Sequence, residues 1–170
     1  SAMSSSDYSS WASIPYCDCD VIINENVRSL VNQWIFNSTN HPCGEVIGDW
    51  DVGRVTNMEY LFAGKSTFNS DISNWNTSSV TSLYQTFRGA TSFTGDGVSN
   101  WNTSSVTSMY QTFHGATSFT GDGLSNWDTS KVTTLYQTFK DATSFTGDGL
   151  SNWDTSSVMD LSATFFDASS

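Results

Sequence analysis

Four aspartates, Asp71, Asp96, Asp122 and Asp148, recur at near-constant spacing, the last three between glycines. A row of carboxylates on that spacing has two uses. Oxygens from neighbouring turns can share calcium, which takes roughly six to eight oxygen ligands. Alternatively, each carboxylate accepts backbone N–H bonds inside its own turn. Each copy supplies only one such acid, so the second use is the expectation, with calcium the one possible cofactor. Three tyrosines, Tyr84, Tyr110 and Tyr136, form another row, each followed by a glutamine, Gln85, Gln111 and Gln137. Flanking copies carry Glu59 and Ser162 where the tyrosines stand. A core position would hardly accept either, so the tyrosines are expected to face solvent. Tyrosine beside an amide suits contact with protein or glycan, and the competing use is to cover the seam between adjacent helices.

Catalytic chemistry finds little to work with. The two histidines are His41 and His114, and His114 stands where sister copies have Arg88 and Lys140. A catalytic base is not expected to be a repeat variable, and no serine has a fitting histidine and acid nearby in sequence. Glycine-rich turns that could cradle phosphate each carry an aspartate, which repels it. The expectation is a chain without catalytic residues. Two threonine rows, Thr77, Thr103, Thr129 and Thr155, then Thr86, Thr112, Thr138 and Thr164, raise a different class of function, the binding of ice or a mineral surface. The competing account has these hydroxyls cap helices and bond inside their own turns.

The cysteines, Cys17, Cys19 and Cys43, all precede the regular part of the chain. A bridge across Cys17-Asp18-Cys19 is too tight, so Cys43 pairs with one of the two, or all three remain thiols. Zinc is disfavoured, since no histidine sits at ligand spacing. Asn37, Asn76 and Asn102 each open a glycan-acceptor pattern.

What positions these rows is a repeat. Trp50, Trp75, Trp101, Trp127 and Trp153 recur at 25, 26, 26 and 26 residues, and the segments between them copy one another. Phe62, Phe87, Phe113, Phe139 and Phe165 follow twelve residues after each Trp, and a second aromatic row runs Phe68, Phe93, Phe119, Phe145. Ile72, Val98, Leu124 and Leu150 precede the next Trp. The Trp and Phe rows never lose apolar character, so Trp50, Trp75, Trp101, Trp127, Trp153, Phe62, Phe87, Phe113 and Phe139 are assigned to the core.

Within a copy, Val106, Met109, Tyr110 and Phe113 fall at i, i+3, i+4 and i+7, the stripe of a short amphipathic helix. Thr103 or Ser104 would cap its start and Gly115 its end. Gly121-Asp122-Gly123 is turn chemistry before a short extended segment from Leu124 to Trp127. A unit this small cannot bury its own apolar face, so stacking on neighbours must supply the core.

The pattern running from Phe119 to Phe139, with Trp127-Asp-Thr-Ser-x-Val-Thr at its centre, resembles the 26-residue surface-protein repeat of the BspA-like leucine-rich-repeat family. The resemblance covers roughly 48–168. It implies a leucine-rich-repeat-like α/β solenoid with one short strand and one short helix per coil, an extracellular or cell-surface location, and adhesion to protein or glycan. The family offers no catalytic residues to carry over. Two departures alter the exposed face: the tyrosines stand where a small polar residue is expected, and Gly-Asp-Gly lengthens the turn.

Val27, Leu30, Val31, Trp34 and Ile35 form one more helical stripe, after Asn24 or Asn26, expected to lie over the first coil as a lid. Ser1-Ala2-Met3 reads as an expression scar, 4–47 as an N-terminal cap with a disulfide, and 48–170 as a solenoid of about five coils. The last coil is expected to be truncated or to act as an atypical cap. A net charge of -11 with six Lys and Arg argues against nucleic acid and anionic membranes as partners, and no apolar run approaches the ~18 residues of a span. The remaining alternative function is a structural spacer or wall component.

Overall fold

The computed structural model describes Cys19 and residues 21–168; Ser1-Ala2-Met3 and Cys17 lie outside the described residues. Successive copies stack in parallel, with Asn57, Ser82, Ser108, Thr134 and Asp160 bridged in one continuous row. Each coil is named here for its Trp, coil 1 from Trp50 to coil 5 from Trp153. The one α-helix among the described residues is α1, Val27–Phe36. Short 3-10 turns at Asp96–Val98, Leu124–Asn126 and Leu150–Asn152 lead into successive tryptophans.

The stripe from Val106 to Phe113 forms tandem turns in place of the expected helix. Backbone N–H groups of Met109, Gln111, Phe113 and Gly115 donate to carbonyls of Thr134, Tyr136, Thr138 and Lys140 in the next coil. The residues that follow the last three, Thr112, His114 and Ala116, donate three residues back within the coil. Two left-handed residues within this segment, here Gln111 at φ 53° and Gly115 at φ 68°, interrupt any α-helical run. The physical reason is length and composition. A segment of two turns rich in Thr, Ser and Gly is a marginal helix, whereas a neighbour in register offers every second N–H a partner. Val106, Met109 and Phe113 still point inward and are buried, because tandem turns return those positions to one side. Tyr110 leaves the stripe and is half-buried.

The core is a set of aromatic columns. Trp75, Trp101 and Trp127 lie nearly parallel with centroids 6.4 Å apart, and Phe87, Phe113 and Phe139 stack at 5.5 and 5.7 Å. The second row interleaves with the first, Phe113 lying 3.9 Å from Phe119. Trp50, Trp75, Trp101 and Trp127 are buried, as are Phe62, Phe87, Phe113 and Phe139, while Trp153 in coil 5 is half-buried. Four of the five repeat indoles also satisfy their polar atom: Nε1 of Trp75, Trp101, Trp127 and Trp153 donates to the carbonyl of Ile47, Ile72, Val98 and Leu124 in the preceding layer, whereas the buried Nε1 of Trp50 has no partner among the described residues. Glycine is demanded at Gly121, where φ is 100° and a Cβ would meet the Phe145 ring at 2.8 Å.

The cap meets coil 1 through α1, whose Val27, Leu30 and Val31 are buried. Asn26 precedes α1 without a side-chain cap bond; its Oδ1 accepts from Ile23 N instead. Cys19 is bonded to Cys43, with an S–S distance of 2.05 Å, tying the chain before α1 to the turn that enters coil 1.

Candidate functional site

Tyr84, Tyr110 and Tyr136 form one column along the stack. Their rings lie nearly parallel with centroids 4.7 Å apart at both steps, set by the coil-to-coil register of the bridged row beside them. Serine or threonine two residues earlier fixes each one, since the backbone N–H of Tyr136 donates to Thr134 Oγ1 at 3.2 Å. Coil 1 carries Glu59 at this position, but Tyr60 reaches across and meets Tyr84 edge-on at 5.3 Å. The side chains are half-buried. Because each ring face lies against the next ring, the column shows solvent its edges. Burial and the neighbouring phenols push the Tyr110 hydroxyl above its ordinary range, so it stays protonated and can donate as well as accept.

The glutamines form a parallel amide ladder. Gln85 Nε2 donates to Gln111 Oε1 at 2.6 Å, and Gln111 Nε2 donates to Gln137 Oε1. All three have left-handed backbones, φ 50–53°, which project the side chains outward next to the tyrosines. An amide ladder that hydrogen-bonds to itself along the stack is ordered before any ligand arrives.

The four aspartates of this row divide into two arrangements. Asp71 Oδ1 accepts the backbone N–H of Ser73 at 2.9 Å, and that bond holds its carboxyl below the ordinary carboxylate range. Asp96, Asp122 and Asp148 instead accept a threonine hydroxyl two residues before them, from Thr94, Thr120 and Thr146. The backbone-accepting turn expected of the whole row is built by a neighbouring row. Asp51, Asn76, Asn102, Asp128 and Asp154 each accept the N–H two residues on. Asp and Asn alternate freely there because either oxygen serves the turn. Among the described residues no three His, Cys, Asp or Glu side chains gather as a metal-binding group.

Both threonine rows point into the stack except at Thr155 in coil 5, which is exposed. Thr77, Thr103 and Thr129 are buried and donate to the carbonyls of Asn102, Asp128 and Asp154 in the next coil. Thr86, Thr112, Thr138 and Thr164 are buried too and donate to Met58, Leu83, Met109 and Leu135 in the preceding one. In the described coils, these hydroxyls serve as ties between layers.

Three features of the cap escaped the sequence reading. Asn24 Oδ1 accepts the N–H groups of Thr56 and Asn57, the part played one layer up by the Thr56 carbonyl, which accepts from Thr81. Arg28 Nη2 donates to the Glu59 carbonyl, as the Tyr60 N–H donates to Tyr84 one layer up. His41 stacks on Trp50 at 5.0 Å, in the place a tryptophan of a preceding coil would take. None of the three recurs, so no comparison between copies could single them out.

No described helix is long and apolar enough to cross a membrane. No curated protein and no solved structure matches the chain. A family model described as "Mycoplasma protein of unknown function, DUF285" matches residues 31–124 and again residues 94–170. The double match spans most of the chain and repeats along the stack of like coils, and the chain belongs to that family.

Proposed function

We propose that this chain is an extracellular or cell-surface binding module of leucine-rich-repeat-like, BspA-like type, which adheres to a protein or glycan ligand through the column of Tyr84, Tyr110 and Tyr136 and the amide ladder of Gln85, Gln111 and Gln137. The observation that carries this reading is the strip itself: phenol edges and amides in register over three coils, at positions the core does not dictate. The Cys19–Cys43 bridge supports an oxidising location. The 26-residue period and the Trp-Asp-Thr-Ser-x-Val-Thr motif support the finer kinship. The non-enzymatic part of the reading rests on the histidines, His41 stacked on Trp50 and His114 held by Asp141. Replacing all three tyrosines by serine tests the proposal on a glycan array and in whole-cell pull-downs. Binding should fall at least tenfold while the protein still melts cooperatively; unchanged binding by a folded triple variant removes the strip from consideration.

A second reading, a structural spacer, is favoured by one observation: Tyr110 has both ring faces covered by Tyr84 and Tyr136. Ring pairs contribute about 0.5–1.5 kcal/mol each beyond area burial. On the spacer reading the triple variant loses stability of that order and no ligand affinity.

A further inference from the structure

Two of the six Lys and Arg in this acidic chain, Arg88 and Lys140, share one edge of the stack with His114. Arg88, His114 and Lys140 occupy the same position in coils 2, 3 and 4. The residue after each is Gly89, Gly115 and Asp141, all left-handed. Coil 4 thus places a carboxylate where the coils below it have no side chain.

That carboxylate shows what the position accepts. Asp141 Oδ2 takes Lys140 Nζ of its own coil at 2.9 Å and faces His114 Nε2 of the coil below at 3.2 Å. Moved down one coil, the same geometry would set an acid at Gly115 between His114 of its own coil and Arg88 of the coil below. No acid is there. A groove of about 300 Å³ is found instead, lined by Gly64, Arg88, Gly89, His114 and Gly115.

Crowding does not explain the glycines. A Cβ on Gly115 would meet Gly89 no closer than 3.8 Å, an ordinary contact. Nor does the positive φ exclude a side chain, since Asp141 adopts φ 58° at the equivalent residue. Arg88 is exposed and has no ion-pair or side-chain hydrogen-bond partner among the described residues. His114 Nδ1 is buried and likewise has no partner there. One coil further down, Ala63 replaces the cation, so the pattern offers one such place only.

We infer that the groove between coils 2 and 3 is a binding site for a single carboxylate carried on a small molecule or sugar, held by Arg88 and His114 as Asp141 is held by Lys140 and His114. The planar Arg fork suits a carboxylate. The overall negative charge disfavours polyanions, which would meet repulsion beyond the groove. The site stands whether or not the tyrosine strip is adhesive.

The probe is sodium glucuronate, titrated at pH 7 and constant ionic strength against imidazole resonances observed by NMR. The chain holds two histidines, so His41 is the internal control. Glucuronate should shift His114 saturably and leave His41 unmoved, while glucose does neither. Gly115→Asp should abolish the titration, because it builds the carboxylate in, as coil 4 does. Arg88→Gln, on an exposed side chain, should weaken binding about tenfold, the effect of losing about 1.4 kcal/mol. The proposal is overturned if His114 shows no saturable shift, if glucose acts equally, or if both variants titrate like the parent. Tighter binding of inorganic phosphate than of glucuronate would overturn the carboxylate assignment.

Discussion

Coil 1 and coil 5 each have one face with no neighbouring coil among the described residues, and they treat it differently. Below coil 1, α1 supplies apolar cover, Asn24 supplies the missing acceptor, Arg28 the missing donor and His41 the missing ring. Above coil 5, Met159, Leu161, Phe165 and Phe166 are exposed, between 50% and 83%. The comparison separates what a coil needs from what a repeat is. A layer requires hydrogen-bond partners in register and an apolar floor. A non-repeating segment can provide both with side chains where a sister coil would use backbone.

The sharpest break of the comparison is Trp101→Ala against Phe165→Ala. Trp101 is buried between two indoles and bonded to Ile72, so its loss should cost about 3–5 kcal/mol and unfold a domain of ordinary stability, about 5–15 kcal/mol. Phe165, half exposed, should cost about 1 kcal/mol or less. Urea denaturation reads both, and equal losses would erase the distinction between interior and terminal coils. Next in size is the staple of the cap. Cys43→Ser opens a loop of sequence separation 24, a destabilisation of about 3 kcal/mol by chain entropy; a midpoint that reductant leaves unmoved would show that the cap holds without it.

Asn24→Ala probes the acceptor that stands in for a coil. About 1 kcal/mol is expected, the scale of a lost helix cap. Hydrogen exchange should quicken at the Thr56 and Asn57 amides and stay unchanged at Thr81. A uniform change across all three amides would deny Asn24 its local role.

How much of this was legible depends on whether a residue repeats. The Trp and Phe rows could be read because five copies keep them aromatic while another position runs Glu59, Tyr84, Tyr110, Tyr136, Ser162. Helices were inferred from spacing alone, and spacing cannot distinguish a helix from tandem turns that return i, i+3 and i+7 to the same side. The left-handed Gln111 that decides between them carries no mark in sequence, since glutamine is not a residue expected there. Which of Cys17 and Cys19 pairs with Cys43 was equally illegible, both being within reach along the chain. Asn24, Arg28 and His41 each occur once, and their value comes only from contact with a distant coil.

Smaller effects sharpen the picture of the cap and the turns. Burial lowers the His41 imidazole below its ordinary value. The folded state therefore resists a proton that the unfolded chain accepts, and the stability present above about pH 6.5 is lost as pH falls towards the lower folded value. His41→Phe keeps a ring over Trp50 and should flatten part of the fall in melting temperature between pH 7.5 and 5.5. His114, also lowered by burial and by Lys140, should retain the rest; an unchanged slope would place the effect outside the cap. Smallest of all, EDTA should leave the melting temperature where it is and Asp122→Asn should change stability by no more than about 0.5 kcal/mol, because an amide oxygen also accepts the Thr120 hydroxyl. A chelator-dependent drop reversed by calcium would turn these turns into metal sites.

The alternating ladder gives the stack a sense of direction. Met109, Gln111, Phe113 and Gly115 all send their N–H groups towards the following coil, and their counterparts in coil 5, Leu161, Ala163, Phe165 and Asp167, donate to no carbonyl among the described residues. Two such edges brought together would set donor against donor along that whole segment. An exposed sheet edge ordinarily invites its own kind, but this one is mismatched to its own image. That polarity works against pairing of this edge with its own copy, despite the aromatic side chains exposed beside it.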